Sequence, residues 1–244
     1  MHATFTSATI VLLGTFVPAK YAPNTLAEAK VLSNKDGELA NYKVLLPGTV
    51  LQYQLPWAEV MVAQDRIQVT ATEAPFVRIC DFVTKAFHDR PAGSFVTQFG
   101  INLESHYEFE SMEARDAFAR NIAPPQAWGA WGQELLNSMK GPDATHGGVT
   151  LLQLRRPFVE DKVTGWLDVY VGPSARIQKA KGVFLRTNHH HQIPLLSSEA
   201  EEAGNAAPTT ADPLALLEIL AARFDESIAA AQKIFSDVLS RSAT

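Results

Sequence analysis

The chain of 244 residues contains a single cysteine, Cys80. One thiol excludes an intramolecular disulfide framework and a zinc site built on several cysteines, and it fits a reducing compartment. Long apolar runs are also missing. A membrane helix needs roughly 20 apolar residues, whereas Thr9-Ile10-Val11-Leu12-Leu13 is the only comparable stretch near the start and no Lys or Arg precedes it. Neither a membrane span nor a secretory signal is expected, and the expected location is cytoplasmic. The chain has no Gly-x-Gly-x-x-Gly, no Gly-x-Ser-x-Gly and no His-Glu-x-x-His. Those absences argue against nucleotide-driven and common hydrolase chemistry. Excess positive charge is lacking too. The net charge is −5, which argues against general nucleic-acid binding, because that rests on phosphate neutralisation.

What is present is an ordinary globular composition, 46% apolar and 19% charged. The length predicts one or two domains. The charge is uneven: residues 150–190 carry +4, leaving −9 for the remainder. Either the 155–186 region forms a local basic patch, or its cations decorate a solvated hairpin loop at 172–182.

Periodicity supplies the elements. Residues 4–13 are rich in β-branched side chains and end at Gly14, which predicts a strand. Residues 50–55 form a short candidate strand before Pro56. Residues 57–63 and 66–72, joined through Gln64-Asp65, predict a hairpin. Asn34-Lys35-Asp36-Gly37 reads as a turn. Phe76, Ile79, Cys80, Val83 and Phe87 fall at spacings of three and four and predict an amphipathic helix to about residue 88, with Cys80 a core residue or, alternatively, a reactive thiol. The strand at 95–109 alternates strongly. Phe99, Ile101, Leu103 and Tyr107 share one face; Gln98, Asn102, Glu104, His106 and Glu108 share the other. Ser111 caps a helix that Pro124-Pro125 ends. Trp128 and Trp131 begin another, either anchoring it to the core or offering rings for stacking. Strands at 149–155, 164–171 and 183–191 form an antiparallel meander. Residues 197–211 read as a mobile loop, and Asp212-Pro213 starts a helix to about residue 240.

These elements predict an α+β fold: a mostly antiparallel sheet of six to eight strands, helices packed on one face, and a long C-terminal helix. It reads as one domain over residues 1–244. Lobes 1–141 and 142–244, related by a weak internal duplication, are the alternative.

Three places can carry function. Glu104 and His106 share the polar face of strand 95–109, and Asp168 can join them from a neighbouring strand. A carboxylate two residues from a histidine can orient it as a base, so these are the catalytic candidates. His189-His190-His191 is the second place. His189 and His191 fall on one face of a strand and can chelate a metal given a third ligand such as His146, Glu104 or His106. A solvent-exposed strand end is the plainer reading of that run. The third is the last helix, where Leu217, Phe224, Ile228 and Phe235 belong to a heptad stripe. The stripe either lies across the chain's own sheet or pairs residues 213–240 with a second copy.

Three segments resemble an uncharacterised, sporadically distributed family of bacterial proteins of roughly this length. They are Phe99-Gly100-Ile101-Asn102-Leu103-Glu104-Ser105-His106-Tyr107, Gly165-Trp166-Leu167-Asp168-Val169-Tyr170, and the run Leu217 to Ile228. The resemblance carries no catalytic residue and no cofactor. Sporadic occurrence implies an accessory role, such as a component of a mobile or defence-associated cassette.

The expected function is therefore that of a non-enzymatic, self-associating interaction protein with a protein partner or itself as partner. The alternative is a metal-dependent enzyme that uses the histidine run and the polar face of strand 95–109. A divalent metal at the histidines is the only cofactor the sequence suggests.

Overall fold

A computed structural model describes residues 2–88, 93–138, 148–160, 163–178, 180–192 and 213–240. Among the described residues, nine strands form one antiparallel sheet: β1 (Ala3–Thr15), β2 (Asn41–Leu46), β3 (Val50–Gln54), β4 (Glu59–Ala63), β5 (Arg66–Ala71), β6 (Phe95–Glu108), β7 (Leu152–Glu160), β8 (Val163–Pro173) and β9 (Gly182–Gln192). Six α-helices among the described residues accompany them: α1 (Pro23–Glu28), α2 (Asn34–Glu38), α3 (Val77–His88), α4 (Met112–Ile122), α5 (Gly129–Ser138) and α6 (Pro213–Ser240). The strand order is β2-β3-β4-β5-β1-β6-β9-β8-β7.

This order has an internal symmetry. β1 and β6 lie side by side at the centre, with Ile10 opposite Ile101. From β1 the chain passes through helices to the meander β2–β5, whose last strand returns to β1, and closes with α3. From β6 it passes through α4 and α5 to the meander β7–β9, whose last strand returns to β6, and closes with α6. The two halves meet between α3 and β6. A division near residue 141 would instead cut through the second half, and the β1–β6 ladder joins both halves into one sheet.

Alternation decides which face is covered. Ala8, Ile10, Leu12, Phe99, Ile101 and Leu103 point to one face and are each at most 1% exposed. Ile79, Cys80 and Val83 of α3 and Leu220, Phe224, Ala231 and Phe235 of α6 complete the same core. Burial, reinforced by the nearby carboxylates of Asp81 and Asp225, pushes the Cys80 thiol up to about 12, so Cys80 is a core residue and not a reactive one. The α6 stripe is likewise internal. Leu217, Phe224 and Phe235 are buried and Ile228 is partly buried against the chain's own sheet. Within one copy, therefore, the stripe lies across the chain's own sheet.

Other expectations are corrected by local chemistry. Asn34-Gly37 is not a turn but the helix α2, because the Ser33 hydroxyl accepts the Asp36 N–H at 3.0 Å and caps it. Strand β2 was not predicted and brings the count to nine. The strand expected at 149–155 runs instead over Leu152–Glu160. It keeps its pairing through Pro157 opposite Trp166, and a residue without an N–H is tolerated there because β7 is an edge strand. The expected loop at 197–211 and the Asp212 cap lie outside the described residues. No helix among the described residues is long and apolar enough to cross a membrane.

Candidate functional site

The face opposite the helices is polar. Pairing in register places Gln54, Glu59, Thr70, Thr9, Asn102, Asn188, Asp168 and Arg155 in one unbroken row across eight strands. Glu104, His106 and Asp168 all lie on this face, as expected, but each is already engaged.

Asp168 is 1% exposed. Arg155 donates to it through Nε at 2.7 Å and Nη2 at 2.8 Å, and the Tyr170 hydroxyl donates at 3.2 Å. The bidentate guanidinium holds the carboxyl below the usual carboxylate range. Arg155 also stacks over Trp166, 4.5 Å from the ring centroid, and Trp166 stacks on His190 at 3.9 Å. A carboxylate so saturated is a poor proton acceptor.

Glu104 and His106 are brought together. His106 Nε2 lies 3.0 Å from Glu104 Oε1, and His106 Nδ1 lies 2.7 Å from Ser174 Oγ. Ser174 was not foreseen, because 68 residues separate it from His106. The Ser174 oxygen accepts the N–H groups of Arg176 at 3.1 Å and Ile177 at 3.2 Å. Its own proton therefore goes to His106 Nδ1, and His106 Nε2–H donates to Glu104. This serine–histidine–glutamate line has the order of a catalytic triad. Its surroundings deny that use. The imidazole packs between Phe5 and Phe184, at 5.6 and 6.1 Å between ring centroids, and turn amides take both acceptor positions of the hydroxyl. The line ties the β8–β9 turn to the sheet.

Replacing Ser174 by alanine strips those partners from two turn amides and the imidazole. The expected cost is about 2 kcal/mol, read as a lower urea midpoint. Hydrolysis of p-nitrophenyl acetate is expected to be the same with and without the serine hydroxyl; a selective loss in Ser174→Ala would restore the catalytic reading.

The histidine run is not an exposed strand end: all three residues are buried. His190 lies on the polar face. His189 and His191 lie on the helix-covered face, where His189 pairs across strands with Ile101 and Leu167. His191 stacks on Phe99 at 4.5 Å, and its Nδ1 donates to the His189 carbonyl at 3.3 Å. Desolvation pushes both His189 and His191 down to about 4. Glu104 and His106, proposed as third metal ligands, point to the opposite face, and His146 lies outside the described residues. No group of three or more His, Cys, Asp or Glu able to hold a metal occurs among the described residues.

Three of the basic residues of 155–186 stand beside carboxylates, and Arg156 is exposed. Arg155 is paired with Asp168, Lys181 with Glu108 at 3.3 Å, and Arg186 lies 3.9 Å from Glu104. Arg176 sits over the Phe5 ring at 3.9 Å. Lys162 and Lys179 lie outside the described residues.

The open site is elsewhere. A cleft of about 490 Å3 is lined by residues of α4, the turn Pro125–Trp128, α5 and the chain at 148–152, together with Val171–Pro173 and Val183. Its wall is mostly apolar: Phe118, Ala119, Ile122, Leu135, Leu136, Val149 and Leu151. Trp128 and Trp131 line it with their rings 5.9 Å apart. They are 62% and 58% exposed, so they do not anchor the helix to the core. Gly132 fixes the geometry. A Cβ there would lie 1.9 Å from the Pro125 carbonyl oxygen, so only glycine lets α5 press against the preceding turn. The sequence signal was the spacing Trp128-Gly129-Ala130-Trp131-Gly132, in which the glycines mark a tight approach.

Comparison with family models and with curated proteins returns no match.

Proposed function

We propose that the protein acts by binding rather than by catalysis, and that the tryptophan-lined cleft is where it binds an apolar group. One observation carries this reading: two tryptophans, each more than half exposed, stand on the wall of an apolar cleft of about 490 Å3. That volume falls in the range of roughly 300–1,000 Å3 typical of ligand pockets. Burying exposed aromatic surface is a favourable term that nothing among the described residues uses up. The polar face supports the same reading from the other side, since its ionisable groups are committed to one another. A protein that binds without converting also suits the accessory role that the family resemblance implies.

The test uses Nile red, a neutral apolar probe. Saturable binding with one site is expected, together with a change in tryptophan emission. Trp131→Ala is expected to weaken it roughly tenfold, the scale of one well-packed aromatic contact. Ala119→Trp, which fills the cleft, is expected to abolish it. Both variants should keep the parent's urea midpoint. Probe binding that is indifferent to both substitutions would sink the proposal.

A further inference from the structure

Resting on that reading of the cleft, we propose a ligand class: a single-chain amphiphile with an anionic head, of the fatty-acid type. The apolar wall accounts for the chain. The head is assigned by the charged residues that line the cleft among the described residues, all of which sit on α4. Arg115 and Asp116 line it and are ion-paired with each other. Arg120 lines it as well, is exposed, and has no ion-pair partner among the described residues. The described side chains that line the cleft thus sum to one positive charge. Arg120 stands in the last turn of its helix, where the C-terminal carbonyls contribute about half a negative charge. The balance stays positive, so the cleft favours an anionic head over a neutral one and disfavours a cationic one. A guanidinium also matches a carboxylate in shape, presenting parallel N–H donors to its two oxygens.

The size of the effect follows from the exposure of Arg120. An exposed ion pair contributes modestly, so the preference is several-fold rather than a thousandfold, and it weakens with salt. Most of the affinity comes from the chain.

The experiment titrates the full chain with decanoate, decanol and decylammonium below their micelle-forming concentrations, following tryptophan emission. Decanoate is expected to bind several-fold more tightly than decanol, and decylammonium more weakly than either. Arg120→Glu is expected to invert that ranking, with a slightly lower urea midpoint because a carboxylate in the last turn opposes the helix dipole. Three equal affinities, or an unaltered ranking in Arg120→Glu, overturns the assignment of the head and leaves the apolar cleft standing. Nile red binding without binding of any decyl compound overturns the chain assignment as well. Loss of Nile red binding too would remove the cleft reading on which the inference rests.

Discussion

Lowering the pH from 7 to 4 should remove about 6 kcal/mol of folding free energy through two side chains. His189 and His191 are buried between the sheet and α6, and desolvation holds each near 4 against an ordinary value of 6.5. The folded protein therefore refuses a proton that the unfolded chain accepts. The stability from this difference is fully present above pH 6.5. It is lost as the pH falls towards 4, below which both states are protonated and nothing further changes. A shift of that size corresponds to about 3 kcal/mol for each histidine. Natural domains have about 5–15 kcal/mol in total, so a domain at the low end of that range is expected to unfold as the pH approaches 4, and a more stable one to lose a large share of its urea resistance there. Asp168, held low by Arg155, acts in a separate and lower window, as the pH falls below the ordinary carboxylate range.

Urea midpoints measured by circular dichroism from pH 8 to pH 4 would show this slope. His191→Phe keeps a ring against Phe99 and should flatten about half of it. The double variant with His189→Leu should flatten most of the remainder. At pH 5 the double variant should be more stable than the parent even though it has lost the Nδ1 hydrogen bond to the His189 carbonyl. An unchanged slope in the double variant would show that the two imidazoles are not buried as a neutral pair.

That burial also shows where sequence reasoning runs out. Strands β5 and β6 were legible because Ile67, Val69 and Ala71, and Phe99, Ile101 and Leu103, alternate with polar residues, and one face of each meets the core. Strand β2 was not, because both of its faces are largely exposed and no alternation is selected. The start of β7 was misplaced because Val149 and Leu151 are apolar for another reason: they wall the cleft. His189 and His191 looked like surface because they are polar, yet what buries them is α6, which follows after a long interval of chain. The Ser174–His106–Glu104 line was only half legible for the same reason. Glu104 and His106 are neighbours on one strand, whereas Ser174 arrives through the pairing of β9 with both β6 and β8. The cleft was the least legible part. Trp128 and Trp131 at a spacing of three look like a core stripe, yet both rings are more than half exposed on the cleft wall.

The helix α6 offers the other large effect, because its two readings predict opposite outcomes for one substitution. Phe224 and Phe235 are each 1% exposed and belong to the core formed with β6 and β9. Truncating a buried phenylalanine to alanine removes its transfer free energy and leaves a cavity, at a cost of about 3–5 kcal/mol. Phe224→Ala is therefore expected to lose that much in urea unfolding while its mass by native mass spectrometry stays that of the parent. Phe224→Leu, which keeps most of the volume, should cost about 1 kcal/mol and provides a well-folded variant for the same mass measurement. Had the stripe joined two copies, either substitution would shift the oligomer towards monomer and make stability depend on protein concentration. A mass change in Phe224→Leu at an unchanged urea midpoint would return α6 to the surface. The buried stripe predicts the reverse: a lower midpoint that does not vary with concentration, and no change in mass.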